Sequence, residues 1–234
     1  MAERLTPEEA LREKPHIAIA GASGRIGQRL QALWAGSFRV TPLQHQKEVT
    51  PNQNGQEVIE GFDITNLESV FRAVDKLSQN GVTTVVNATG VLSVDASEAT
   101  RGDIESPMFK VHVKGAEHLA KACQESGLNY LHLSTEYVFD GKIPVGQKYV
   151  EDDMPDKSAA NPTWYGQTKA IGEEVVRDVY PEKSVIVRIS QVQSIAGGLF
   201  LATLKAIERG EPFTRADNQQ ISAISDITTA EALA

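Results

Sequence analysis

The sequence predicts an α/β fold: a doubly wound parallel sheet with helices on both faces. Three observations predict it. Apolar runs of strand length alternate with stretches of helical periodicity from His16 to Arg188, the order of parallel strands joined by crossover helices. The first run passes directly into a glycine-rich turn and then a helix. Several strands end in small or polar residues, where open parallel sheets leave room for a ligand.

The chain has 234 residues, 41% hydrophobic and 23% charged. It can bury a sizeable core as one large domain, with room for a small second lobe. A net charge of −8 and the lack of any basic run argue against a nucleic-acid partner. The single cysteine, Cys123, cannot form an internal disulfide and lies at helical spacing from Leu119 as core filler. No apolar run approaches the ~20 residues that span a bilayer, and Met1 to Lys14 has no apolar leader core. The expectation is a cytoplasmic protein with no membrane partner. No His/Cys cluster of metal-binding spacing is present.

Thr6 to Lys14 reads as a short peripheral helix, with Thr6 as cap and Pro7 at the first helical position. His16 to Ala20 is a buried strand that leads into Gly21-Ala22-Ser23-Gly24-Arg25-Ile26-Gly27. Glycines at 21, 24 and 27 allow a tight turn, close approach of backbone N–H groups to a diphosphate, and close packing of the next helix. Strand, glycine turn and helix in this order make the fold Rossmann-like and point to a dinucleotide. In the helix, Ile26, Leu30, Leu33 and Trp34 share a face.

Phe38 to Thr41 is the second strand. An acidic residue at its end would accept from the adenosine ribose and repel a 2′-phosphate. The residues there are Leu43, Gln44, His45, Gln46 and Lys47, and Arg25 lies in the glycine turn. NADP(H) is therefore the expected cofactor, with NAD(H) as a weaker option; the alternative is that Arg25 and Lys47 are solvated surface charges. A polar loop with one short strand near Val58 follows. Asp63-Ile64-Thr65-Asn66 opens a helix whose buried stripe is Val70, Phe71, Val74 and Leu77. The strand from Val82 to Val86 ends in Asn87-Ala88-Thr89-Gly90. Met108 to Ser126 is a long helix with Met108, His112, Gly115 and Leu119 on one face. Tyr130 to Leu133 is a strand delivering Ser134-Thr135-Glu136-Tyr137-Val138-Phe139-Asp140-Gly141. A loop runs to Pro162, a helix carries Tyr165, Lys169, Gly172 and Val176, and Ser184 to Arg188 is the next strand.

Tyr165 and Lys169 are four apart on that helix and share a face. A phenol of intrinsic pKa near ~10 beside a fixed cation is drawn toward acid/base chemistry at neutral pH. The competing reading is a packed ring beside a solvated charge.

With Gly21/Gly24/Gly27, Asp63-Ile64, Asn87-Ala88, Val94-Asp95, Ser134 to Gly141 and Asn161 to Lys169 with Gly172-Glu173 in hand, the chain resembles the extended short-chain dehydrogenase/reductase family. Within it the resemblance is to the dTDP-4-dehydrorhamnose reductase-like branch, to which the regulatory β subunit of methionine adenosyltransferase is related. The resemblance implies an NAD(P)H-dependent reductase of a 4-keto nucleotide sugar, with Thr135, Tyr165 and Lys169 catalytic. Thr135 would hydrogen-bond the reacting oxygen, Tyr165 would pass it a proton, and Lys169 would lower the tyrosine pKa and hold the nicotinamide ribose. Cofactor contacts would come from Gly21, Ser23, Gly24, Arg25, Ile26, Gly27, Asp63, Ile64, Asn87, Ala88, Thr89, Tyr165 and Lys169. Residues 1–190 would form the dinucleotide-binding domain, and 191–234 the start of a small, incomplete C-terminal substrate lobe. Two positions depart from the pattern: His112 stands where the family usually has Asn, and Glu136 where an Asp is usual. Because of His112 and the short lobe, the alternative is a non-catalytic NADP-binding regulatory subunit that docks on an enzyme; the partners expected beyond the sugar nucleotide are a second copy, as a homodimer, or a partner enzyme. A nucleotide-sugar epimerase or dehydratase is the weaker alternative, since Glu136 is followed by Tyr137 and not by a second acid.

Overall fold

In the computed structural model, the structure describes residues 13–47, 49, 57–144, 146–194, 199–212 and 223–234. The helix expected from Thr6 lies outside them, apart from Glu13 and Lys14 in a turn. Five parallel strands form one sheet: β1 (His16–Ala20), β2 (Arg39–Leu43), β3 (Thr84–Asn87), β4 (Asn129–Thr135) and β5 (Ser184–Ile189). Their order is β2-β1-β3-β4-β5. The chain steps outward from β1 to β2 and then returns to the other side of β1, so the order reverses between β1 and β3. Ile59 makes an isolated parallel bridge to Leu43, which is the short strand expected near Val58.

Every residue of β1 is buried, as a central parallel strand requires. Alternation along it feeds two cores. Ala18 and Ala20 face α2 (Leu67–Gln79), α5 (Gly115–Ser126) and α6 (Trp164–Val179) through Val70, Leu77, Leu119 and Val176. Ile17 and Ile19 face α1 (Arg25–Trp34) through Leu30 and Trp34. Leu33, expected on that buried face, is exposed. Gln31 is buried in the same helix and donates to the Ala22 and Gly27 carbonyls at 2.8 and 3.2 Å. The helix is thus rotated to keep a satisfied amide inside.

Asn66 caps α2 by accepting from the Ser69 N–H. The helix expected from Met108 to Ser126 is continuous but not uniform. Between α4 (Pro107–Phe109) and α5 it contains one π turn, Lys110–Lys114, which holds His112. Two short helical pieces complete this region: α3 (Val94–Glu98) and a 3₁₀ turn, Glu136–Val138.

Beyond β5, β6 (Val192–Gln193) pairs in parallel with β7 (Ile224–Ser225), and α7 (Leu199–Arg209) lies between them in the chain. α8 (Asp226–Ala232) returns to α1. Trp34 Nε1 donates to the Ala230 carbonyl at 3.0 Å, and Arg29 pairs with the buried Asp226 at 2.9 Å. Ala230 joins the core on that face of the sheet.

The glycine turn is sterically committed. Gly21 has φ +83°, and a Cβ there would lie 2.6 Å from the Ala88 carbonyl oxygen. A Cβ on Gly27 would collide with the Gly21 carbonyl and Ala22 Cα, whereas one on Gly24 would meet only the Gly21 oxygen at 3.1 Å. Gly27→Ala is therefore expected to cost about 1–3 kcal/mol of stability through backbone overpacking, and Gly24→Ala far less. Urea midpoints of the two variants check this; equal midpoints would contradict it.

Candidate active site

The C-terminal ends of the strands surround a cavity of about 560 Å³ at the point where strand order reverses, the place where open parallel sheets bind ligands. Gly24, Arg25 and Ile26 form one wall, Ala88, Thr89 and Gly90 the next, and Thr135, Tyr165 and Lys169 the far end. Helix α1 enters this wall uncapped. Gly24 at its N-cap is extended, no side chain caps it, and no acid stands in its first turn. Free N–H groups at a helix start, without a competing carboxylate, fit a diphosphate.

Of the other expected cofactor contacts, Gly21, Ser23, Gly27, Asp63, Ile64 and Asn87 stand outside the cavity lining. Gly21 and Gly27 shape the turn. Asp63 accepts from the Thr65 N–H and hydroxyl at 2.9 and 2.7 Å. Ile64 is buried against Gly115, where a Cβ would be 2.8 Å from its Cγ1. Asn87 turns into the sheet, accepting from Thr89 and donating to the Tyr130 hydroxyl at 2.9 Å. Arg25 lines the cavity and donates to the Val192 carbonyl at 3.3 Å, while Lys47 is exposed.

Thr135, Tyr165 and Lys169 come together as expected. Thr135 ends β4, is buried, donates to Glu136 Oε2 at 3.1 Å, and lines the same cavity as the Tyr165 phenol. Thr163 caps α6 by accepting from the Gly166 N–H, which fixes the start of the helix and with it Tyr165. The expected lowering of the tyrosine pKa by Lys169 does not occur. Burial pushes the Tyr165 phenol up to about 12, partly offset by Thr135, and the acidic Glu136 adds to the rise. Burial also brings the Lys169 amine down to about 8, against the opposing pull of Glu173. The amine is committed elsewhere: it donates to the Leu133 carbonyl at 2.6 Å.

His112, the departure in the long helix, is a satisfied buried group. Its Nε2 accepts from the Val91 N–H at 3.0 Å. The Thr168 hydroxyl gives its proton to the Tyr165 carbonyl at 3.0 Å, so its oxygen accepts from His112 Nδ1–H at 2.9 Å. The ring is neutral and, by burial and then by the nearby Lys169, held well below its usual pKa. It ties the cavity loop at Val91 to the backbone that carries Tyr165.

Sequence reasoning missed part of the polar wall. Ser134, Glu136, Ser190 and Gln191 line the cavity, and Ser134 Oγ, Glu136 Oε1, Ser190 Oγ and Gln191 Oε1 are buried without hydrogen-bond partners. Burial raises the Glu136 carboxyl pKa, against hydrogen bonds that lower it, including one from Thr135. The signal was available: Ser190 and Gln191 follow the C-terminal end of β5, where sheet geometry puts ligand contacts. No metal-binding cluster and no helix long and apolar enough to cross a membrane occur among the described residues.

Fold and site define a Rossmann-type chain of the short-chain dehydrogenase/reductase class. It belongs to the RmlD substrate binding domain family, which it matches over residues 15–232. It is similar to a dTDP-4-dehydrorhamnose reductase of Aggregatibacter actinomycetemcomitans, 31% identical over 190 residues, covering 80% of this chain and 55% of the relative. It is also 30% identical over 193 residues to a dTDP-4-keto-6-deoxy-D-glucose reductase of Streptomyces niveus, covering 82% of this chain and 57% of that one. Among solved structures, the dTDP-4-dehydrorhamnose reductase of Bacillus anthracis in complex with NADP is 26% identical, with a TM-score of 0.73 over 94% of this chain and 69% of that one. The chain spans a little over half the length of the curated relatives it matches.

Buried His112 and His132 both have pKa values held well below 6.5 in the folded state. Below about pH 6.5 the unfolded chain takes up these protons while the folded chain does not, so stability rises with pH through this window and is fully present above it. Between about pH 6.5 and 5 the loss is expected to approach roughly 1.4 kcal/mol per pH unit for each histidine. In His112→Gln the contribution of that histidine should disappear from the slope, measured by urea denaturation at several pH values. An unchanged slope would contradict the neutral assignment.

Proposed function

We propose that this chain is an NADP(H)-dependent reductase of a 4-keto nucleotide sugar of the dTDP-4-dehydrorhamnose type, with NAD(H) as the weaker cofactor. The observation that carries this reading is one cavity joining an uncapped helix start to a threonine–tyrosine pair and a set of orphaned buried polar atoms. Buried polar atoms without partners are costly, and the hydroxyls of a sugar would satisfy Ser134, Glu136 and Gln191. A nicotinamide dinucleotide would supply the hydride. Gly24 and the first N–H groups of α1 would hold its diphosphate, and Arg25 a 2′-phosphate. Thr135 would hydrogen-bond the carbonyl oxygen, and Tyr165 would give that oxygen its proton as the alkoxide forms. The phenol is protonated at neutral pH and can give that proton to the more basic alkoxide. The segment 191–234 would begin the substrate lobe, since Val192 and Ala202 already reach the cavity.

A second reading, a binding subunit without turnover, is favoured by the commitment of the Lys169 amine to the Leu133 carbonyl. The two readings separate in one assay, the oxidation of NADPH in the presence of dTDP-4-keto-6-deoxy sugars. The reductase reading expects turnover, and Tyr165→Phe should reduce it by about 100-fold or more with little change in folding. Binding of NADPH without oxidation by any 4-keto sugar would support the second reading. Gly24→Val should abolish cofactor binding under either reading, because its side chain enters the cavity where the diphosphate would lie. Undiminished affinity by calorimetry would overturn the cofactor site itself.

A further inference from the structure

Directly behind Lys169 lies a buried polar network that the proposed reaction does not use. His132 is buried in β4, with Nε2 3.5 Å from Lys169 Nζ. Its Nδ1 is 3.2 Å from the Tyr130 hydroxyl and 3.2 Å from Asn87 Nδ2. The Asn87 amide has a fixed orientation. Its Oδ1 accepts from the Thr89 backbone N–H at 3.1 Å and from the Thr89 hydroxyl at 2.6 Å, and a backbone N–H can only donate. Asn87 Nδ2 therefore faces the ring as a donor, and it also donates to the Tyr130 hydroxyl at 2.9 Å. That hydroxyl, buried and already accepting, finds in Nδ1 an acceptor for its own proton. Both neighbours of Nδ1 are donors. Nδ1 thus carries the lone pair, and the ring, kept neutral by its burial, carries its proton on Nε2. That N–H points at the lysine.

We propose that His132 is a positioning residue that sets the charge state of Lys169, by presenting an N–H donor where an ammonium would need an acceptor. In the neutral amine every group is matched: the lone pair of Lys169 accepts from His132 Nε2–H, and its own N–H donates to the Leu133 carbonyl. The other groups around the amine do not reverse this. Glu173, one turn further along α6, favours the ammonium, but its carboxylate is already held by Arg188 at 2.9 Å and Arg177 at 3.0 Å. His112, on the π turn, is neutral, and Tyr165, one turn earlier, is protonated at neutral pH. The inference concerns the lysine of the proposed reductase centre but needs no turnover to be tested.

Two NMR measurements on the full chain without ligand decide it. Long-range ¹H–¹⁵N correlation of the His132 ring should show a bare Nδ1 and a protonated Nε2. The titration of Lys169, assigned with Lys169→Arg, should shift upward by more than about half a unit in His132→Gln, because the glutamine oxygen can turn to accept from the amine. A protonated Nδ1, or a smaller shift in a folded variant, would overturn the proposal. If His132→Gln does not fold, the ring tautomer in the wild type decides alone. A chain that shows this tautomer and shift but reduces no sugar would refute the reductase reading and leave this inference standing.

Discussion

Helix α6 is pressed onto its neighbours closer than any side chain would allow, and the site depends on that approach. A Cβ on Gly166 would collide with the Tyr137 carbonyl, and one on Gly172 with the His112 carbonyl. The first contact holds the helix against the 3₁₀ turn that follows β4. The second holds it against the π turn. Tyr165 stands next to the first point and Lys169 between the two, one turn apart. The phenol is thereby set beside Thr135, and the amine under the carbonyl of Leu133. The bulge and the histidine belong to the same device: His112 reaches from the π turn to Thr168 on α6 and to Val91 in the cavity loop.

The opposite wall arises from a second close approach. Gly21 leaves β1 with a positive φ beside the Ala88 carbonyl, so the ends of β1 and β3 meet where the sheet reverses its order. That contact leaves the start of α1 open to the cavity instead of folded back onto the sheet. Burial then governs the chemistry on both sides. It holds Tyr165 protonated, weakens the hold of Lys169 on its proton, keeps His112 and His132 neutral, and leaves Ser134 and Gln191 with polar atoms that water or a ligand must satisfy.

The sheet was legible because both of its signals are local. Apolar runs marked β1 to β5, and the glycine turn marked the first crossover. The shared face of Tyr165 and Lys169 was legible because helix periodicity places residues four apart together; Thr135 was named only through the family resemblance. What was not legible depends on direction and depth. Whether a lysine turns toward a tyrosine or toward a strand carbonyl is set by packing across α6 and β4, which spacing does not contain. The π turn adds a residue to a helix whose periodicity stays apolar on both sides, so Met108 to Ser126 read as uniform. Leu33 read as core because its spacing fits, yet buried Gln31, bonded to the Ala22 and Gly27 carbonyls, turned the helix by its own requirement for partners. Asp63 and Ile64, expected at the cofactor, stand outside the cavity lining, Asp63 closing a turn with Thr65 and Ile64 buried.

The central claim is that one cavity brings a dinucleotide and a keto sugar together at Thr135 and Tyr165. It is tested most directly by incubating the chain with NADPH carrying deuterium on the reactive face of its nicotinamide ring and with dTDP-4-keto-6-deoxy sugar, and then taking the mass of the recovered sugar nucleotide. The account predicts a product heavier by one deuterium, located on the carbon that had carried the ketone. Bound NADPH with an unlabelled, unreduced sugar would contradict it.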